Sequence, residues 1–202
     1  MSASASTLVH SPEDVTADRR TLLGFWIYLM TDCVLFAGLF ACYAVLHIST
    51  FGGPSSQTLF SLPTALAETL ALLLSSFTCG VATLGLGSGR RRQVEAWFAV
   101  TFALGAVFIG IELSEFHRLV ADGDSWTRSG FLSAYFVLVG VHGLHVVAGL
   151  TWMTVLVWRV HREGLTRGHI RRLTLLSVFW HFLDLIWICI FSIVYLMGVI
   201  HG

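Results

Sequence analysis

Five long apolar segments restrict the possible folds of this chain more than any other feature. They run over residues 23–46, 63–86, 96–116, 130–158 and 173–200. Each segment reaches the ~20 apolar residues that a helix needs to cross a bilayer. Only helices or closed barrels satisfy their backbone hydrogen bonds in lipid, and the sequence lacks the short alternating strands of a barrel. The sequence therefore predicts an all-α membrane protein, a bundle of five transmembrane helices.

The composition agrees with this prediction. Hydrophobic residues make up 55% of the chain and charged residues only 12%, which is typical of an integral membrane protein. The segment 1–21 is polar and lacks the order of a secretory signal, so we expect a disordered tail there. Residues 22–202 are predicted to form one transmembrane domain. The four cysteines lie within apolar segments at no metal-binding spacing, which indicates small buried side chains.

The arginines predict how the chain is oriented in the membrane. The chain has no lysine, and its arginines concentrate in the tail and in the second and fourth connectors: Arg19, Arg20, Arg90, Arg91, Arg92, Arg159, Arg162, Arg167, Arg171 and Arg172. The positive-inside rule then places the N-terminus in the cytoplasm and the C-terminus in the periplasm. The net charge is zero, so no overall field favours a nucleic-acid partner.

Ionisable residues occur within all five apolar segments. Such residues are costly at membrane depth and usually face other protein groups or a cavity. Six of them form three pairs at a spacing of three, which places each pair on one helical face. We expect the acids of the first three helices to meet the histidines of the last two in the bundle interior. These candidate residues are Asp32, Glu68, Glu112, Glu115, His142, His145, His181 and Asp184.

Several interpretations of these residues remain open. They can form a hydrogen-bonded network that fixes helix packing, or a proton path such as a proton-coupled transporter uses. A b-haem anchor that binds quinol needs two histidines from different helices, for example His181 with His142 or His145. Motifs of zinc proteases, serine hydrolases and phosphate-binding loops are absent from the sequence. No catalytic, cofactor-binding or metal-binding residue is therefore predicted.

Small residues predict where helices approach closely. The second helix carries small side chains every fourth residue, at Ser75, Cys79, Thr83 and Gly87. Gly140 and Gly143 flank His142 in the same way on the fourth helix. Such stripes are typical of helix contacts in membranes.

Three segments resemble subunit III of the haem-copper terminal oxidases. They are GFWIYLMTDCVLF at 24–36, RSGFLSAYFVLVGVHGLHV at 128–146 and FWHFLDLIWICIFSIVYLMG at 179–198. The five-helix form is similar to that of the cytochrome bo-type ubiquinol oxidases. His142 and His145 match the family's paired histidines, and His181 and Asp184 match its WHFxD motif. Glu115 matches the acid of its S-E-aromatic segment, and Asp32 stands where many members have a carbodiimide-reactive glutamate.

The resemblance implies an accessory subunit without catalytic residues, in a proton-pumping quinol oxidase of a bacterial inner membrane. It implies that this chain binds no haem or copper, because in the family those cofactors belong to subunit I. It also implies direct packing against subunit I, subunits II and IV in the same complex, and phospholipid bound in a cleft. The expected role is to support proton uptake and stability while subunit I reduces oxygen to water. The chain is then an oxidoreductase only as part of that complex.

Overall fold

Five long helices form the part of the chain that the structure describes. The computed structural model describes residues 12–46, 62–87, 89–123 and 128–196, and no strand occurs among them. The helices are α1 (Pro12–Leu46), α2 (Leu62–Gly87), α3 (Arg91–Ala121), α4 (Gly130–Glu163) and α5 (Arg167–Ile190), and a π-helical turn (Phe191–Leu196) follows α5. All five are long and apolar enough to cross a membrane. The prediction of an all-α protein with five spanning helices is confirmed.

The helices extend beyond the predicted apolar segments at several ends. Helix α1 begins at Pro12, inside the segment 1–21 for which disorder is predicted. Proline is favoured at the first helical position, and the acids Glu13 and Asp14 that follow it in the sequence suit a helix N-terminus. Helices α3, α4 and α5 include flanking arginines. The rest of the predicted tail and the predicted end of the fifth helix at residue 200 lie outside the described residues.

The chain divides into two compact units, residues 1–37 and 38–202. The described part of the first unit is helical. Its residues Leu29, Asp32 and Phe36 are buried and follow one another at a helical spacing. In the second unit α3 packs against α2 and α4, and α5 also packs against α2 and α4. These four helices therefore form a closed ring. Helix α5 has the largest buried fraction of the five spans.

Two tryptophans of α5 connect it to the other helices of the ring. The indole Nε1 of Trp180 donates a hydrogen bond of 3.0 Å to Ser75 Oγ, and that of Trp187 donates one of 3.1 Å to Thr69 Oγ1. A Cβ added at Gly105 of α3 would lie 2.9 Å from Trp180 Cζ2, and one added at Gly149 of α4 would lie 3.0 Å from Trp180 Cζ3. The absence of side chains at these two glycines makes room for the Trp180 ring.

The small-residue prediction is correct for part of α2 and wrong for α4. Ser75 and Cys79 are fully buried in the ring. A Cβ added at Gly143 would meet nothing within 4 Å, and one at Gly140 would meet only Phe116 at 3.9 Å. Glycine is therefore not required for packing at these two positions. The close helix approach uses Gly105 and Gly149 instead.

Candidate functional site

Three buried carboxyl groups interact near one end of the ring. Glu68 lies on α2, and Glu112 and Glu115 lie on α3, all with 3% or less of their surface exposed. The three groups interact electrostatically. The described residues place no hydrogen-bond donor within reach of the carboxyl oxygens of Glu68 or Glu112. At the rim, Glu115 Oε1 lies 3.5 Å from the half-exposed guanidinium of Arg118.

Two tyrosine hydroxyls complete this cluster. Tyr135 near the start of α4 and Tyr195 in the π-helical turn are buried, and their hydroxyl oxygens lie 3.0 Å apart. The Tyr195 hydroxyl also donates to Glu115 Oε2 at 3.5 Å. We call these five residues the carboxyl–tyrosine cluster: Glu68, Glu112, Glu115, Tyr135 and Tyr195. Carboxyl and phenol groups in contact can hold and exchange protons.

The paired histidines of α4 have different surroundings. His142 is fully buried, and its ring lies 5.3 Å from the Trp187 ring and 6.0 Å from the Phe108 ring, measured between centroids. His145 is partly exposed, and its Nδ1 donates a hydrogen bond of 2.8 Å to the Val141 carbonyl of its own helix. His142 is thus held between aromatic rings of α3 and α5.

A second polar group joins α5 to α2. His181 Nδ1 lies 2.6 Å from Ser76 Oγ, and the same hydroxyl lies within hydrogen-bonding reach of the Asp184 carboxyl. Ser76 and Asp184 are buried, whereas His181 is exposed on the surface of the chain. Ser76 therefore bridges the two ionisable residues of α5. We call Ser76, His181 and Asp184 the serine–histidine–aspartate group.

Asp32 lies in the first unit. It is buried, and the hydroxyl of Tyr28, one helical turn earlier, hydrogen bonds to it. The tyrosine partner stands at a spacing of four, a sequence signal that identifies it.

The structure changes the predicted pairing of acids with histidines. The prediction that the acids of the early helices meet histidines is wrong for Glu115, which contacts Tyr195 and Arg118. The prediction that His181 faces the bundle interior is wrong as well, because the His181 side chain is exposed on the surface of the chain. The partners of Glu115 and His181 are instead hydroxyl side chains, which the sequence analysis does not predict. The tyrosines and serines within the apolar segments are the sequence signal for such partners.

A third polar group lies at the opposite end of the ring, where α3 begins. Arg91 Nε donates to Glu95 Oε1 at 2.7 Å, and its guanidinium also bonds the His161 carbonyl of α4. These residues line an open cavity of about 720 Å³ together with Arg90, Arg92 and Gln93. Its arginines provide a positively charged surface.

These groups do not resemble a metal centre in the part of the chain that the structure describes. No three histidine, cysteine, aspartate or glutamate side chains gather there at distances suited to one ion. His142 and His181 also have separate environments, one between aromatic rings and one on the outer surface. His142 and His181 therefore do not face a common site, as the two axial ligands of a haem iron would.

Comparison with known protein families identifies the family of this chain. The sequence model of the family described as cytochrome c oxidase subunit III matches residues 7–199. The chain belongs to the cytochrome c oxidase subunit III family. The resemblance of the three sequence segments to subunit III is thereby confirmed.

Relatives of this subunit III include both quinol and cytochrome c oxidase subunits. The chain is 56% identical to cytochrome bo(3) ubiquinol oxidase subunit 3 of Pseudomonas aeruginosa, over 89% of this chain and 86% of that protein. It is 42% identical to quinol oxidase subunit 3 of Bacillus subtilis, over 89% and 88%. It is 40% identical to cytochrome c oxidase subunit 3 of Bacillus sp. strain PS3, over 97% and 96%. With its five apolar helices, the subunit is a multi-pass bacterial membrane protein.

Proposed function

We propose that this chain is the accessory subunit III of a quinol oxidase that reduces oxygen to water in aerobic respiration. The observation that carries the proposal is the 56% identity to a cytochrome bo(3) ubiquinol oxidase subunit 3 over most of both chains. The two Pseudomonas relatives, at 56% and 54% identity, are both named ubiquinol oxidase subunits, which favours quinol as the electron donor of the complex. The chain carries no catalytic residue. The haems and copper belong to subunit I, which it contacts directly, and subunits II and IV complete the complex.

The proposed location is the bacterial inner membrane, with the N-terminus in the cytoplasm and the C-terminus in the periplasm. The arginines at the start of α3 and at the junction of α4 and α5 support this orientation, since basic residues remain on the cytoplasmic side. The carboxyl–tyrosine cluster then lies toward the periplasmic end.

Phospholipid binding fits two features of the second unit. An apolar groove of about 460 Å³ lies between α3 and α4, and Glu112 is the only ionisable residue that lines it within the described part. Its shape and lining suit an acyl chain. The arginine-lined cavity at the start of α3 suits an anionic headgroup of the cytoplasmic leaflet. Lipid extracted from the complex with and without this chain would show whether bound phospholipid is lost with it.

Removal of this chain tests the accessory role. We expect the complex without it to begin turnover at a similar rate and then to lose oxygen consumption faster than the complete complex. Oxygen uptake would be followed over prolonged turnover, and expression of the chain from a second copy of its gene should restore the slower decay. Unchanged decay and unchanged thermal stability without the chain would contradict the proposal.

Asp32 is proposed to assist proton uptake by the complex, because it is a buried acid at the position of the family's carbodiimide-reactive glutamate. In Asp32→Asn we expect normal assembly and at most a partial loss of proton uptake, measured in proteoliposomes. An unassembled complex would instead show that the acid is required for structure.

A further inference from the structure

The outer surface of α2 and α5 carries an exposed histidine, His181. His181 lies midway along the span Arg167–Tyr195, about 20 Å from either end at ~1.5 Å per residue. Since the apolar core of a bilayer is ~30 Å thick, its ring lies near the centre of the membrane. The side chain is nevertheless exposed. A polar ring at this depth is unfavourable against lipid tails.

Exposed hydroxyls elsewhere on the spans have a different arrangement. Thr151 and Ser114 are exposed, and each donates to a carbonyl of its own helix, Val147 at 2.8 Å and Ile111 at 2.6 Å. Such residues face lipid without an unsatisfied donor. His181 uses one ring nitrogen for Ser76, and the described residues offer no partner for Nε2. Among the described residues, this nitrogen is therefore left for a further group to satisfy.

Exposed apolar side chains stand near His181 and Ser76 in the two helices that these residues join. Leu185 and Ile188 follow His181 on the same face of α5 and are 58% and 38% exposed. Leu73 and Phe77 flank Ser76 on α2 and are 41% and 66% exposed. Together these residues form a mixed surface, with a polar centre and an apolar rim. We call it the His181 face: His181, Leu185, Ile188, Leu73 and Phe77.

We propose that the His181 face is the surface on which a transmembrane helix of subunit I packs, with a polar group of that helix hydrogen bonded to His181 Nε2. Membrane helices associate through packing and a few hydrogen bonds of this kind. The serine–histidine–aspartate group thus orients the ring toward the partner, because Ser76 holds Nδ1 and leaves Nε2 directed outward. The inference rests on the proposed function, since it requires a partner subunit.

Site-directed photocrosslinking in the complete complex tests the proposal. A benzoylphenylalanine at Leu185 should crosslink to subunit I, and a crosslink to subunit II or IV instead would overturn the proposal. The matched control is Val107 of α3, which is 53% exposed and also lies near the middle of its span; it should give no crosslink to subunit I. A Leu185 crosslink to lipid only, to a second copy or within the same chain would overturn the proposal, as would equal crosslinking from Val107.

Substitution of His181 provides the second measurement. One interhelical hydrogen bond in a membrane changes an association constant about three- to tenfold. In His181→Phe we expect the association constant of this chain with the complex, obtained by detergent titration, to fall by that factor, whereas in His181→Gln it should fall by less than about twofold. Circular dichroism of each variant checks that the helices form. Equal association constants for the two variants would overturn the proposal.

The two proposals fail in different ways. If the chain purified with no oxidase subunit at all, the proposed function itself would be wrong. If it purified with the oxidase but Leu185 and His181 made no contribution to the contact, only the His181 face would be wrong.

Discussion

The contact of Trp180 with two glycines makes a quantitative prediction about the packing of the ring. An alanine at Gly105 would bring its Cβ to 2.9 Å from Trp180 Cζ2 and 3.0 Å from Cη2. The ring cannot move away, because Gly149 faces its other edge and Ser75 holds its N–H. Overpacking of this kind costs about 1–3 kcal/mol. We expect Gly105→Ala to destabilise the protein by that amount.

A double-mutant cycle isolates the effect of the clash. Phenylalanine at Trp180 lacks the benzo-ring atoms that the new Cβ would meet, and the contact of that Cβ with Leu150 Cδ2 at 3.0 Å remains. Phenylalanine also loses the hydrogen bond to Ser75, worth about 0.5–1.5 kcal/mol. Ser75 keeps its own bond of 3.1 Å to the Thr101 carbonyl, so no buried donor is left unpaired there. Gly105→Ala should therefore cost less in the Trp180→Phe background than in the native chain, by about 1 kcal/mol.

Unfolding in mixed micelles, followed by far-UV circular dichroism, gives the free energies of the four variants. Gly110→Ala on the same helix is the control, because its Cβ would meet nothing within 4 Å. It should be neutral or stabilising by up to about 1 kcal/mol, since alanine favours helix over glycine. Additive effects of Gly105→Ala and Trp180→Phe, or a Gly110→Ala as damaging as Gly105→Ala, would refute the packing argument.

Three further predictions concern single hydrogen bonds and use the same unfolding assay. Ser129 caps α4 by accepting from Leu132 N–H at 3.2 Å, so Ser129→Ala should cost about 1 kcal/mol, and Ser129→Asp should largely preserve stability. Tyr195→Phe removes the hydroxyl shared by Tyr135 and Glu115 and should cost about 1 kcal/mol; an unchanged stability would show that the hydroxyl contributes nothing. Thr69→Val and Trp187→Phe should be coupled by about 0.6 kcal/mol, and strict additivity would contradict a bond between them.

The sequence predicts the number and type of the helices because hydrophobic length is a property of each segment alone. Which faces of the helices meet depends on all of them together. Gly143 and Gly149 both lie in an apolar helix, yet only Gly149 contacts a tryptophan of α5. Residue spacing along α4 cannot distinguish the two, because the position of Trp180 decides the matter.

The sequence likewise identifies the polar residues individually, but it does not identify their partners. The sequence picks out Glu115 and His181 because charges are rare in apolar segments. It does not show that Tyr195 reaches Glu115, since that contact depends on the π-helical turn after α5. Serine and tyrosine are common enough in membrane helices that their presence gives little warning of such a role.

The position of α5 in the chain has a consequence for biosynthesis. It follows the other four described spans in the chain, yet its two tryptophans provide the indole hydrogen bonds to α2 and the ring that fills the space beside Gly105 and Gly149. Since domains are made from the N-terminus onward, α2, α3 and α4 enter the membrane before the element that joins them exists. A nascent chain stopped before Arg167 would have inserted helices without a finished core. Closure of the four-helix ring therefore waits for the synthesis of α5.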